Sequence, residues 1–165
     1  MPPAPKTTRT SHAGSSARVA RILALDYGRK RIGIAISDEL GLTAQPVGTL
    51  ARKNRRADMK FLREIVHRHG VSLILVGHPI RLDGSPGEMA QESARFAARL
   101  AKELRVKIEL LDERLTSWEA RETLREAGIS KGRRGVLDDV AAAVLLREYL
   151  ERNSSSPKAR SAEKA

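Results

Sequence analysis

Apolar positions fall into short runs in the first half of the chain. Arg21-Ile22-Leu23-Ala24-Leu25-Asp26 is apolar on both faces, which predicts a central strand ending at a carboxylate. From Arg31 to Ser37 the pattern alternates, with Ile32, Ile34 and Ile36 on one face and small Gly33 and Ala35 on the other. This predicts a second strand that packs closely on its small face. A short turn containing Gly28 separates the two, so an antiparallel hairpin is expected. Thr43 to Leu50 reads as a third strand, and Pro46 inside it suits a sheet edge.

The spacing then changes. Asn54 can cap a helix carrying Phe61, Leu62, Ile65 and Val66, with Gly70 just past its end. Ser72 to Val76 is a short buried strand. Ser85-Pro86-Gly87-Glu88 has the form of a capping box with Ser85 as the cap, opening a helix to about Leu104. A strand from Val106 to Leu111 follows. Thr116-Ser117-Trp118-Glu119 repeats the capping pattern for a helix ending before Gly128. Residues 129–135 form a Gly/Arg/Lys loop, and Val136 to Arg152 is the last helix. The order β-β-β-α-β-α-β-α-α is a three-stranded meander followed by strands joined through crossover helices. The expected fold class is α/β: a mixed five-stranded sheet flanked by helices, on the ribonuclease H plan.

The chain has 165 residues, enough for one domain. We place that domain at 21–152, between basic tails at 1–20 and 153–165 that are expected to lack fixed structure. There are no cysteines, which excludes a disulfide framework and a thiolate zinc site and fits a reducing compartment. No apolar run reaches membrane-spanning length, and the N-terminus lacks the apolar core of a secretory signal, so a cytoplasmic location is expected. The formal net charge is +11, about half of it in the tails. The rest clusters at Arg29-Lys30-Arg31, at Arg52-Lys53 with Arg55-Arg56, and at Lys131 with Arg133-Arg134. A basic surface around acidic residues suits a nucleic-acid enzyme. Tyr27, Phe61, Phe96, Trp118 and Tyr149 are the only aromatics. They are too few for a stacking platform, so recognition through backbone and shape is expected.

Asp26 is the first candidate for chemistry. A carboxylate at the end of an apolar strand is costly unless it has a purpose, although Asp ahead of Gly28 also suits a turn. Asp112 and Glu113 follow the fifth strand, and Asp138 and Asp139 open the last helix. Periodicity does not choose within either pair. Asp138 shares an apolar row with Ala142, Leu145 and Tyr149, and Asp139 shares one with Ala143, Leu146 and Leu150. Three acids brought together repel one another, and a divalent cation is the usual remedy. His67 and His69 read as surface residues, and His78 as a loop residue with a structural role.

Leu25-Asp26-Tyr27-Gly28 with Arg31-Ile32-Gly33, Val76-Gly77 with Pro79 and Asp83-Gly84, Asp112-Glu113-Arg114-Leu115-Thr116-Ser117, and Leu137-Asp138 with Ala141-Ala142 resemble the bacterial YqgF family in sequence and order. These are Holliday-junction-resolvase-like nucleases, also described provisionally as pre-16S ribosomal RNA nucleases. The resemblance runs from about Arg21 to Leu150. It implies a ribonuclease H-like nuclease of the cytoplasm, acting on the 5′ end of pre-16S rRNA during ribosome biogenesis. It also implies Asp26, Glu113 and Asp138 as the catalytic acids and metal ligands, holding two Mg²⁺ or Mn²⁺ ions. Arg29, Lys30, Arg31, Arg114, Lys131, Arg133 and Arg134 are the expected nucleic-acid contacts. Structured RNA or a DNA junction is the expected partner, with ribosomal particles a further candidate and no membrane. Asp139 is an extra acid beside Asp138. The family's loop usually reads Gly-Leu-Pro where this chain has His78, and commonly has asparagine where this chain has Arg81. A kinase-like reading of the Asp-x-Gly hairpin needs two related domains, more than this length holds. A non-catalytic module for structured nucleic acid would keep the basic surface without needing three acids.

Overall fold

The structure, a computed structural model, describes residues 20–115 and 136–154. The expected helix from Thr116, the loop 129–135 with Lys131, Arg133 and Arg134, and nearly all of both tails lie outside the described residues.

Five strands form one sheet: β1 Arg21–Tyr27, β2 Arg31–Ser37, β3 Ala44–Ala51, β4 Val71–His78 and β5 Lys107–Asp112. Their spatial order is β3-β2-β1-β4-β5. β1 and β2 pair antiparallel, as do β2 and β3, whereas β4 runs parallel to both β1 and β5. This is the mixed sheet that the element order predicts. Pro46 sits on edge strand β3, where its missing N–H costs no ladder bond. The pairing there skips Val47 between Gly48 and Pro46, a bulge that bends the edge.

Helices α1 (Arg55–His69) and α2 (Glu88–Leu104) cover one face of the sheet. Asn54 caps α1 by accepting the Ala57 N–H at 2.9 Å, and Gly70 closes it in the left-handed conformation. Leu23, Leu25, Ile32, Ile34 and Ile36 meet Met59, Leu62, Ile65, Phe96 and Leu100 on this face. Each fully buried side chain of this size contributes about 1.5–3 kcal/mol. The other face is covered by α3 (Val136–Ser154). There Ala24 and Ala35 meet Ala142, Ala143 and Leu146, so small side chains on both sides let the helix approach the sheet closely.

Two expectations are corrected. Ser85 does not cap α2. The cap is Gly87, with no side-chain bond, because Ser85 is engaged in the preceding loop by Asp83. The last helix runs on to Ser154, two residues past the expected helix end at Arg152, with the Asn153 amide donating to the Tyr149 carbonyl. No helix among the described residues is long and apolar enough to cross a membrane.

Candidate active site

The carboxyl ends of β1, β4 and β5 lie side by side at one end of the sheet, where open α/β sheets hold their ligands. Leu25 pairs with Val76, and both side chains enter the core under α1 and α2. One residue further on, Asp26 and Gly77 therefore face the opposite side, toward α3. Asp26 also pairs with Gly33 on β2. The half-buried carboxylate thus stands between two glycines on neighbouring strands, about 4.8 Å away on each side.

Glu113 completes this arrangement. Leu111 pairs with Gly77, and the chain turns into a short 3₁₀ segment, Glu113–Leu115, right after β5. The Glu113 carboxylate folds back onto Gly77: a Cβ at that position would lie 2.5 Å from Glu113 Oε1 and 3.1 Å from Leu145 Cδ1. Only a glycine admits the carboxylate there. Glu113 is therefore on the α3 face, one strand from Asp26.

Asp112 points the other way. Its neighbour across the ladder is His78, which faces α2 and places Nδ1 3.2 Å from Ser93 Oγ. The Ser93 hydroxyl also donates to the Ala90 carbonyl at 2.9 Å. Asp112 is gripped by Arg114, with Nη2 at 2.7 Å and Nε at 3.0 Å from Oδ2. This fork lowers the Asp112 carboxyl below its usual range. The structure thus separates two acids that periodicity left equivalent.

Asp138 lies in α3, two helical turns before Leu145 in register, and its side chain is outside the described residues. Asp139 is half-buried, with its Oδ1 atom shielded from solvent. Among the described residues no three acidic or histidine side chains are grouped closely enough to hold an ion. Of the three acids that the resemblance implies, the side chains of Asp26 and Glu113 are among the described residues. An all-carboxylate oxygen set, with one member pressed into a glycine floor, fits a hard divalent cation such as Mg²⁺ or Mn²⁺ better than a soft one.

The predicted phosphate contacts are more varied than the sequence suggests. Arg29 is bound to α2, with Nη2 2.7 Å from Glu92 and 3.0 Å from Glu88, and these carboxylates raise its pKa. Arg114 is paired with Asp112. Lys30 and Arg31 are exposed and, with Gly28, Arg29 and Met89, line an open hollow of about 350 Å³. Sequence reasoning missed Arg52 as a brace. Its guanidinium lies 5.1 Å from the Tyr27 ring centre and 5.8 Å from that of Phe96. It donates to the Tyr27 hydroxyl at 3.0 Å, the Gly28 carbonyl at 3.2 Å and buried Asp58 at 3.3 Å. The turn after Asp26 is thereby tied to α1. A basic residue just after an edge strand, followed six positions later by an acid on a buried helix face, was the available signal.

Comparison with known proteins identifies the family and the fold. The RuvX family model, described as Holliday junction resolvase, matches residues 20–152. A protein of Syntrophus aciditrophicus provisionally named pre-16S rRNA nuclease is 46% identical over 132 residues, spanning 79% of this chain and 88% of its own. A Koribacter versatilis protein of the same name is 44% identical over 138 residues, spanning 83% and 90%. Among solved structures, Thermus thermophilus RuvC in complex with a Holliday junction superimposes with a TM-score of 0.52 at 14% identity, covering 82% of this chain and 97% of that one. Fowlpox virus resolvase with junction DNA gives 0.50 at 14% identity, covering 81% and 98%. These likenesses show the fold, a ribonuclease H-like resolvase architecture. Matched by the family model over nearly all of its described length, the chain belongs to the RuvX Holliday junction resolvase family, the YqgF family of its sequence motifs.

Proposed function

We propose that this chain is a metal-dependent ribonuclease of the cytoplasm that hydrolyses phosphodiester bonds at the 5′ end of pre-16S rRNA. The observation that carries the proposal is the Glu113 carboxylate seated on Gly77, one strand from Asp26, at the carboxyl end of the sheet. The names of the relatives support the substrate. Asp26, Glu113 and Asp138 are the residues that would hold Mg²⁺ or Mn²⁺. When bound, the ions offset the repulsion among the acids, activate water and stabilise the departing oxygen. The chain's own part is to hold Asp26 beside Gly33 and Gly77 and to seat Glu113 over Gly77, at the carboxyl end of the sheet. Lys30 and Arg31 offer positive charge to flanking phosphates at the same end. Arg114 keeps Asp112 turned away from the site.

A second reading, cleavage of DNA four-way junctions, draws on the family description and the junction-bound fold neighbours. One experiment separates them: Mn²⁺- and Mg²⁺-dependent cleavage of a 5′-extended small-subunit rRNA precursor and of a four-way DNA junction, with Asp26→Asn alongside. Cutting of RNA alone, lost in the variant and on chelation, is the expected result. Cutting of the junction alone transfers the activity to DNA. Cutting of neither, with tight binding by both proteins, makes the chain a binding module.

A further inference from the structure

The loop between β4 and α2 is a small, internally bonded hairpin. Ile80 bridges Pro86, the Arg81 N–H donates to the Ser85 carbonyl at 3.0 Å, and the Gly84 N–H donates to the Arg81 carbonyl at 2.8 Å. Asp83 Oδ1 accepts from the Ser85 N–H at 2.8 Å and from its hydroxyl at 2.6 Å. Leu82 occupies the corner of the Arg81–Gly84 turn and is 95% exposed. A lone exposed leucine is ordinary on a protein surface. This one is held out by a bonded turn.

Its location matters as well. The hairpin leaves β4 directly after Gly77 and His78, at the same end of the sheet as Asp26 and Glu113. Arg114, adjacent in sequence to Glu113, places Nη1 3.7 Å from where a Cβ would stand on Gly84, and Arg81 lies across Gly87 at 3.2 Å by the same measure. The turn thus lies against Arg114, the residue after Glu113, with Arg81 across its base. Leu40 and Leu42, also exposed, lie at the opposite end on the β2–β3 turn.

We propose that Leu82 is an apolar wedge that enters between two stacked bases of the bound nucleic acid, beside the phosphate that Asp26 and Glu113 address. This rests on the nuclease reading of the site and adds how the substrate is opened there. Apolar side chains inserted at a base step partly unstack it, and burial of the leucine between the bases offsets much of that cost. Arg81 stands at the base of this turn on a chain of formal net charge +11, which points to a polyanion and not to an apolar protein groove. A wedge also lets a chain poor in aromatics distort its substrate without a stacking platform.

The test uses the full chain and double-stranded RNA carrying 2-aminopurine at a central step, in a chelator so that nothing is cut. Wild type should raise the 2-aminopurine fluorescence on binding. Leu82→Ala should lose that rise at saturation, and Leu82→Phe should restore it. Leu82 touches no core, so melting temperatures should be unchanged. An equal rise with Leu82→Ala, or none from wild type, overturns the wedge, and the former leaves a protein partner as the occupant of the tip. Because no cleavage is read, failure of the nuclease reading would appear separately, as absent cutting when Mg²⁺ is added while the fluorescence rise persists.

Discussion

Glu113 and Gly77 are bound by sterics: the carboxylate occupies the space a side chain on Gly77 would fill, with Oε1 2.5 Å from the position of the missing Cβ. A carboxylate held this way rests against backbone, which does not yield as a flexible side chain would.

Gly77→Ala should therefore displace Glu113 while leaving the sheet intact. Misplacement of a catalytic group by about 1 Å can cost 100-fold in rate, and a loss of about that size is expected. Contact with Leu145 adds roughly 1–3 kcal/mol of overpacking. Cleavage kinetics beside thermal melting separate the two effects. Full activity in a folded Gly77→Ala protein would show that the seat of Glu113 is irrelevant to the reaction.

Asp26→Asn and Glu113→Gln should each reduce cleavage to background. Binding should be retained or tightened, because each removes a negative charge from a surface that must accept phosphate. Gel-shift titration of the rRNA precursor checks this. Loss of binding in step with cleavage would assign both residues to the fold.

Arg52→Ala should destabilise the protein by roughly 3 kcal/mol, because it leaves the buried Asp58 carboxylate without its cation. Asp58 keeps one bond, from the Lys53 N–H at 3.1 Å. Arg52→Lys retains charge but loses the fork that reaches Tyr27, Gly28 and Asp58 together, so only part of the stability should return. Chemical denaturation gives the comparison, and equal stability of Arg52→Ala and wild type would remove Arg52 as a brace.

Acid should weaken the fold through Asp38 and Asp83. The Thr43 N–H at 2.9 Å lowers the Asp38 carboxyl from its usual 3.8, and the Ser85 hydroxyl lowers that of Asp83. Both folded-state values lie below the unfolded ones. The stability each contributes is fully present above pH 3.8 and is lost as pH falls through the lowered folded value. Melting temperatures should hold steady near neutrality and drop below about pH 4, with a shallower drop in Asp38→Asn. An identical acid limb in that variant would discount the Asp38 turn.

Much of this architecture follows from local pattern. The isoleucines of β2 alternate with Gly33 and Ala35, and the two sets face different cores because strand side chains alternate by geometry alone. Asn54 and Gly70 delimit α1 because caps act within one turn. The capping box at Ser85 misled, because Ser and Asp bond equally well to a tight turn. Asp83 and the Ile80–Pro86 bridge decided the competition.

The site divides along the same line. Sequence by itself determined the strand order along the chain, the two faces of the sheet and the acids near its carboxyl end, all properties of neighbouring residues. Its periodicity left Asp112 and Glu113 equivalent, since a choice between them depends on where β5 ends, and the resemblance to the YqgF family alone favoured Glu113. Tertiary structure separated them: the bare Cα of Gly77 on β4 receives the Glu113 carboxylate, while Asp112 lies across the ladder from His78 and is held by Arg114. It likewise bound Arg29 to Glu92 on α2, 63 residues away. No local rule contains such pairings, because they exist only once the sheet has assembled and its two layers of helices have closed on it.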